Sequence, residues 1–181
     1  PPINKVFDLK SIDFTHDFKL SSREFKSKNT IFNLRGSCAL SDHQTVLIAG
    51  PCSVESYDQV MRSAEFLRSQ GVKMFRGGAF KPRTTPWKFQ GLEYKGLDLL
   101  QKVRSEFDMG IVTEVRSGSH LAAVADVADV IQIGAKAMYD HDILKGCAKL
   151  NKPVLLKRHF GATIKELLLA SDFILSGGES A

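Results

Sequence analysis

A basic segment near the middle of the chain carries the strongest chemical signal in the sequence. The segment from Arg76 to Trp87 reads RGGAFKPRTTPW. Its two prolines hold the residues before them extended, so Lys81 and Arg83 project from a stiff backbone, and its paired glycines let a ligand approach closely. Guanidinium groups bind phosphate bidentately and ammonium groups bind it as point charges. The segment therefore indicates a phosphate site, in preference to a solvated basic loop with a packed Trp87.

Five short apolar runs place further candidate residues at the ends of strands. Buried parallel strands read as such runs, and parallel α/β folds place their sites at the carboxyl ends of the strands. We therefore expect one functional rim, formed by the residues that follow the runs. The runs are Val46–Ala49, Val72–Phe75, Ile111–Thr113, Val130–Ile133 and Val154–Leu156. The residues that follow them are Cys52, Arg76, Glu114, the turn Gly134-Ala135-Lys136 and the pair Lys157-Arg158.

Several interpretations of these residues stay open on the sequence alone. Cys52 is a metal ligand, a nucleophile or, by default, a small buried hydrophobic residue. Glu114 handles a proton or holds a lysine in place, and a structural ion pair is nearly as common. One side chain of the Lys157-Arg158 pair is expected to point inward and the other away. Of the five histidines, His159 lies closest to the rim, and we expect it to be structural.

Helical periodicity between the runs predicts alternating strands and helices. Such alternation implies a parallel sheet with right-handed crossovers. Five strands suit a flavodoxin-like open sheet, whereas a (β/α)8 barrel needs eight strands and typically about 250 residues, so strand count alone slightly favours the open sheet. Helices are predicted near Tyr57–Gln70, Leu92–Phe107, Ser119–Ala128, Asp142–Leu150 and Thr163–Leu175, the last with a capping box of Thr163 and Glu166.

Residues 1–44 differ from the main domain, which is predicted at 45–181. They are rich in Lys, Ser, Asp and Phe and show only short alternating stretches, at Phe18–Leu20 and Thr30–Leu34. We expect them to form an extended arm with a few strands that precedes or caps the main domain. The N-terminus lacks the apolar core of a signal peptide, and no apolar run approaches the length of a membrane span. We therefore expect no membrane association.

The composition is that of an ordinary soluble chain of 181 residues, 43% hydrophobic and 25% charged. Three scattered cysteines do not form a disulfide framework, which favours a reducing, cytoplasmic location. The net charge of +5 raises the question of nucleic-acid binding. However, the basic residues are spread out or stand at strand ends, so small anionic substrates explain their placement better and no nucleic-acid partner is expected.

These residues together resemble the 3-deoxy-D-arabino-heptulosonate 7-phosphate (DAHP) synthases, in the type I-beta branch related to KDO8P synthases. Lys81-Pro82-Arg83-Thr84 is the most specific match, because the KDO8P branch carries a different sequence there. The order and spacing of the matching pieces fit from about residue 18 onward. The pieces are Ser22–Phe25, Ile48–Ser56, Arg76–Gly91, Thr113–Val115, Gln132–Ala135 and Pro153–Arg158.

The resemblance implies a (β/α)8 barrel of the TIM type, of which this chain carries about five βα units. It also implies the first step of the shikimate pathway, toward chorismate and the aromatic amino acids. In that reaction phosphoenolpyruvate and erythrose 4-phosphate condense to DAHP and inorganic phosphate. A divalent metal ion in such enzymes polarises the aldehyde as a Lewis acid. The metal and the two phosphorylated substrates are therefore the expected cofactor and partners.

The same resemblance assigns roles to individual residues. It implies that Cys52 is the first metal ligand and that Glu114 lies near phosphoenolpyruvate and the attacking water. With Lys81 and Lys157, Glu114 completes the implied catalytic group. The residues implied to contact phosphoenolpyruvate are Arg76, Lys81 and Lys157, with Ala135 and Lys136 at its phosphate. The residues implied to line the erythrose 4-phosphate end are Lys81, Pro82, Arg83 and Thr84.

Two departures from the family pattern shape the expected function. The chain reads Gly134-Ala135-Lys136-Ala137 where the family usually has Gly-Ala-Arg-Asn, and it stops where a sixth strand should begin. We expect the phosphate-contacting half of the site without the metal-binding half, the remainder being absent or supplied by a second polypeptide. The alternative is a non-catalytic phosphate-ligand-binding or regulatory relative. Because five barrel strands leave two open edges, we also expect a homo-oligomer or dependence on a partner.

Overall fold

The structure is a computed structural model that describes residues 13–35, 38–41 and 45–177. A two-stranded hairpin precedes a regular alternation of strands and helices. Short 3-10 turns, Gly118–His120 and Ala135–Ala137, follow the fifth and sixth strands. The elements are β1 (Phe32–Leu34), β2 (Cys38–Leu40), β3 (Ile48–Ala49), α1 (Tyr57–Ser69), β4 (Met74–Arg76), α2 (Tyr94–Phe107), β5 (Gly110–Val115), α3 (Leu121–Val127), β6 (Val130–Ile133), α4 (His141–Ala148), β7 (Val154–Leu156) and α5 (Ile164–Leu175).

The strand order of the main sheet decides between the two predicted folds. Strands β3 to β7 are all parallel and lie side by side in chain order, without the reversal that defines a doubly wound open sheet. An unbroken order with one helix after each strand is the arrangement of a (β/α)8 barrel. The five strands form a curled half-barrel, so the barrel prediction is confirmed. The preference for an open sheet, which rested on strand count, is wrong.

Side chains alternate between the two faces of this sheet, and each face has its own apolar cluster. Phe75, Ile111 and Ile131 pack with the helices on the outer face. The inner face carries the residues that come just before two of these. Met74 precedes Phe75 and Val130 precedes Ile131, and both pack with Val112. The buried Cys38 of β2 belongs to this inner cluster. The β1–β2 hairpin therefore covers the amino-terminal end of the inner face.

Ion pairs hold the hairpin in this position. The Arg35 guanidinium, just after β1, lies 3.4 Å from the Asp108 carboxylate and 3.8 Å from that of Asp129. Asp129 also accepts hydrogen bonds from Arg104 at 3.2 Å and from the Ile111 backbone N–H at 2.9 Å. One carboxylate thus connects the hairpin, α2 and β5.

The segment before the hairpin docks on the last helix. The backbone N–H groups of Lys19 and Ser21 donate to the Asp172 carboxylate at 2.5 and 2.8 Å, and the Ser21 hydroxyl donates to the Leu168 carbonyl at 3.1 Å. The alternating stretch at Phe18–Leu20 is therefore not a strand: the Asp172 carboxylate takes the Lys19 amide that a neighbouring strand would have paired. The predicted domain boundary near residue 44 lies outside the described residues.

Most other elements lie where the periodicity predicts them. Strands β6 and β7 have the predicted bounds, and the capping box before α5 is present, with Thr163 and Glu166 each accepting from the other's backbone N–H. Strand β3 is shorter than predicted and covers only Ile48 and Ala49, the residues of this run that pair with β4 within the described ranges. Within the described ranges, no helix is long and apolar enough to cross a membrane.

Replacing Asp172 is expected to release the arm from α5. Asp172→Ala removes the acceptor of two backbone N–H groups, and hydrogen bonds to a charged group contribute about 1.5–3 kcal/mol. We expect the free energy of unfolding to fall by about 2 kcal/mol in urea denaturation, with faster hydrogen exchange at Lys19 and Ser21. Glu65→Ala, which removes an exposed carboxylate on α1, is the control. Unchanged exchange at Lys19 and Ser21 would contradict the docking.

Candidate active site

Above the apolar cluster, the inner face of the sheet becomes polar toward the carboxyl ends of the strands. Glu114 lies two residues beyond Val112 on β5 and pairs across the ladder with Gln132 of β6. Residues two apart share a face, so both side chains lie on the inner face. The same alternation places Arg76, at the end of β4, and Lys157, just after β7, on this face. The strand register thus gathers one polar layer at the rim.

Cys52 and Lys81 meet at the end of this layer. The Lys81 ammonium lies 2.8 Å from the Cys52 carbonyl oxygen and 3.3 Å from its Sγ atom. Glycine is required on both sides of this contact. A Cβ on Gly50 would lie 2.0 Å from the Arg76 carbonyl oxygen, and one on Gly78 would lie 2.8 Å from that of Cys52. The close approach of these backbones brings the residue after β3 within reach of the loop after β4.

The electrostatic environment favours the thiolate of Cys52. The hydrogen bond and positive charge of Lys81 lower the pKa of this thiol below its ordinary value, and Arg76 contributes further. In contrast, burial raises the pKa of the Cys147 thiol to about 11. Cys52 is exposed, whereas Cys38 and Cys147 are buried. The default interpretation of Cys52 as a buried hydrophobic residue is therefore wrong, and its environment suits a nucleophile or a metal ligand.

Within the described residues, Glu114 accepts a hydrogen bond from a side-chain amide. The Gln132 Nε2 atom donates to Glu114 Oε2 at 2.7 Å, and Gln132 is only 6% exposed. A Cβ on Gly134 would lie 2.4 Å from Glu114 Oε1, so the glycine leaves room for the carboxylate. Sequence reasoning assigned no role to Gln132. The available signal was a single polar residue inside a buried apolar strand, because buried polar groups require partners.

The loop from Lys81 to Gly91 is closed at its base by backbone hydrogen bonds. The Lys81 N–H donates to the Gln90 carbonyl at 2.7 Å. Within the loop, the Arg83 Nε atom donates to the Phe89 carbonyl at 3.0 Å, so this guanidinium is engaged by its own loop. Trp87 is 92% exposed and does not pack as the solvated-loop alternative assumed. Pro82 is half-buried and Thr84 is exposed, and no described contact joins either to Cys52.

The remaining candidates lie after β6 and β7. Ala135 is half-buried and Lys136 is exposed in the turn after β6, and the following Ala137 packs in the core. After β7, the Arg158 guanidinium donates to the backbone carbonyls of His159, at 3.2 Å, and Ala162. Arg158 is therefore engaged by its own loop, while the alternation along β7 places the exposed Lys157 on the inner face.

The described residues do not fit a complete metal centre. Among them, no group of three or more His, Cys, Asp or Glu side chains is placed to hold a metal ion. Catalytic zinc sites, for comparison, use three protein ligands and an open position. Cys52 is the one candidate ligand at the rim that the sequence singles out.

Removing the Lys81 charge is expected to make Cys52 less reactive. Lys81 lowers the thiol pKa, so Lys81→Ala raises it and reduces the thiolate fraction at neutral pH. We expect alkylation by iodoacetamide at pH 7 to be severalfold slower, because a smaller fraction of the thiol is ionised. Lys88→Ala, in the same loop, is the control. An unchanged alkylation rate in Lys81→Ala would show that the contact does not exist in solution.

A methyl group at Gly134 is expected to displace the Glu114 carboxylate. We expect Gly134→Ala to lower the free energy of unfolding by about 1–3 kcal/mol, the usual range for an overpacked site. Gly118→Ala is the matched control, because a Cβ there meets no atom within 4 Å. Equal stability of the two variants in urea denaturation would argue against the close packing of Glu114 on this turn.

The chain is similar in sequence to proteins of known function. Phospho-2-dehydro-3-deoxyheptonate aldolase of Thermotoga maritima is 44% identical over 163 residues, which are 90% of this chain and 48% of that protein. 2-dehydro-3-deoxyphosphooctonate aldolase of Rickettsia prowazekii is 39% identical over 125 residues, which are 65% of this chain and 46% of that protein. The chain therefore spans about half the length of the curated relatives it matches.

Solved structures agree with the fold. The crystal structure of the Thermotoga maritima DAHP synthase matches with a TM-score of 0.86 at 44% identity, over 90% of this chain and 47% of that one. A truncated form of 3-deoxy-D-arabino-heptulosonate 7-phosphate synthase from the same organism matches with a TM-score of 0.79 at 42% identity, over 89% of this chain and 58% of that one. A model of the DAHP synthetase I family matches residues 12–181, and the chain belongs to that family.

Proposed function

We propose that this chain carries the phosphate-binding part of a DAHP synthase active site. In a complete barrel, this site condenses phosphoenolpyruvate with erythrose 4-phosphate to give DAHP and inorganic phosphate. One observation supports the proposal: Arg76, Lys81 and Lys157 lie at or after the carboxyl ends of strands in one parallel sheet, on its inner face or beside Cys52. Phosphoenolpyruvate carries a carboxylate and a phosphate, so several convergent cations are the expected complement.

In the proposed reaction, C3 of phosphoenolpyruvate attacks the aldehyde carbon of erythrose 4-phosphate and forms the new C–C bond. The aldehyde oxygen takes a proton and becomes a hydroxyl. Water adds at C2, and the C2–O bond to phosphate breaks, releasing inorganic phosphate. Arg76, Lys81 and Lys157 bind and orient phosphoenolpyruvate, and positive charge near the phosphate stabilises it as it leaves.

Glu114 is proposed to act on the water in this reaction. Its Oε2 atom accepts from the Gln132 amide at 2.7 Å, which fixes the orientation of the carboxylate at the rim. A fixed carboxylate is suited to hold a water molecule and accept its proton. Gln132 thereby becomes a proposed positioning residue for Glu114.

The other proposed roles follow the family pattern. Ala135 and Lys136 contact the phosphate of phosphoenolpyruvate, and the Pro82-Arg83-Thr84 segment lines the erythrose 4-phosphate end. Cys52 is proposed as one ligand of the divalent metal that DAHP synthases generally use, a Lewis acid toward the aldehyde.

A specific observation favours a second candidate, a non-catalytic relative that binds a phosphorylated ligand or regulates a partner. Lys136 stands where the family usually has arginine, and it is exposed. The next position carries Ala137, 3% exposed and packed in the core, where the family usually has asparagine. Lysine lacks the bidentate fork of arginine, and alanine has no amide. Both changes weaken the phosphate end of the site.

A chimaera separates the two candidates. Residues 13–177 replace the matching segment of the Thermotoga maritima relative, and release of inorganic phosphate is measured with both substrates and a divalent metal. The enzyme proposal predicts turnover in the chimaera and a loss of about 100-fold or more in its Lys81→Ala variant, the magnitude typical of a removed charge-stabilising donor. Lys88→Ala is the control.

Calorimetry with phosphoenolpyruvate completes the experiment. Binding to the chimaera without turnover supports the non-catalytic candidate. Failure to bind phosphoenolpyruvate, in a chimaera shown to be folded by circular dichroism, contradicts the enzyme proposal and any non-catalytic relative that binds this ligand. We expect Lys81→Ala to weaken binding by about tenfold to 100-fold, which corresponds to hydrogen bonds from a charged group.

A further inference from the structure

Three aromatic rings, one of them on the residue before Lys81, contact one another. Phe80, the preceding residue, is 4% exposed, and its ring lies face to face with the imidazole of His120 at 4.1 Å between centroids and 16° between planes. The Tyr94 ring meets both edge-on, at 5.5 Å from Phe80 and 6.1 Å from His120. We call Phe80, Tyr94 and His120 the aromatic stack. Such stacked and edge-on pairs have defined geometries, so each ring restricts its neighbours.

The aromatic stack joins three segments that surround the candidate site. Phe80 follows β4 and opens the loop that carries Lys81, Tyr94 begins α2, and His120 ends the 3-10 turn after β5. Strand β5 is also the strand that carries Glu114. The stack is therefore a direct side-chain connection between the loop of the proposed lysine and the turn that follows the strand of the proposed carboxylate.

His120 takes part in this connection through its ring face. Its Nδ1 atom is buried and has no hydrogen-bond partner in the part of the chain that the structure describes. Because buried polar atoms normally have partners, this is an unusual environment for an imidazole. Hydrogen bonding at Nδ1 therefore does not hold the ring in place, and we attribute its position to the parallel contact with Phe80. A flat apolar ring of similar size is therefore expected to replace the imidazole.

We propose that His120 is a positioning residue for Lys81. The imidazole fixes the Phe80 ring, the Phe80 ring fixes the start of the loop, and the loop directs the Lys81 ammonium toward Cys52, 2.8 Å from its carbonyl oxygen. The consequence for substrate rests on the proposed function, because it requires Lys81 to bind phosphoenolpyruvate. The effect on Cys52 does not.

The experiment compares two replacements of His120 with a matched control elsewhere. His120→Ala removes the ring, and His120→Phe keeps a flat ring without the unpartnered nitrogen. His141→Ala is the control, because the His141 ring stacks on Phe173 at 4.3 Å and 28°, between α4 and α5. Two quantities are measured in the chimaera: the rate at which iodoacetamide alkylates Cys52 at pH 7, and the Kd for phosphoenolpyruvate.

We expect His120→Ala to slow alkylation of Cys52 severalfold and to raise the Kd by about tenfold, equivalent to 1.4 kcal/mol. His120→Phe keeps both quantities at the values of the parent chimaera. His141→Ala changes neither quantity, although it also loses a ring stack. An unchanged alkylation rate in folded His120→Ala overturns the proposal. A folded His120→Phe whose alkylation rate is as slow as that of His120→Ala also overturns the proposal, because the ring face would then not be what positions Lys81.

Where His120→Ala does not fold, His120→Leu replaces it, and the proposal requires slower alkylation in the leucine variant than in His120→Phe; equal rates overturn it. Where the parent chimaera does not bind phosphoenolpyruvate, the proposed function fails, while the alkylation rates still decide whether His120 positions Lys81.

Discussion

Every candidate residue on the inner face depends on one constraint, the two-residue alternation along parallel strands paired in chain order. Met74, Val112 and Val130 form the apolar layer with the hairpin, and the next inward positions carry Arg76, Glu114 and Gln132. A slip of one residue in any strand would move its polar side chain into the layer packed by helices. The same apolar contacts that stabilise the half-barrel therefore also fix which charges face one another at the rim.

Close backbone approach adds a second constraint at the rim itself. Gly50 lets the chain after β3 pass against the end of β4, and Gly134 leaves space for the Glu114 carboxylate. A small residue is needed at both positions because the opposing atoms are polar and already placed. The rim thus combines fixed cations with a thiol and a carboxylate that each have a defined partner.

The sequence predicted the repeating units well because their signal is local. The apolar runs of β6 and β7 and the capping box before α5 depend only on neighbours along the chain, and all are present. The choice between an open sheet and a barrel was not local. It depends on the order of strands in space, which strand count does not contain and which the family resemblance supplied correctly.

Residues whose meaning depends on distant partners were the ones missed. Phe18–Leu20 alternates like a strand, but the Lys19 amide donates to Asp172, 153 residues away. Gln132 and His120 carried no role in the sequence because their partners, Glu114 and Phe80, lie on other elements. Periodicity identifies the face on which a residue lies, whereas long-range contact decides what that residue does.

The attachment of the arm to α5 has a consequence for how this chain folds during synthesis. Ser21 leaves the ribosome early, but its acceptors, Asp172 and Leu168, are made about 150 residues later. Contacts between residues so far apart in sequence form late, because a long loop must close, at a cost in entropy, before the contact can stabilise the chain. The arm therefore stays unattached while strands and helices accumulate one after another, and its docking marks the completion of the half-barrel.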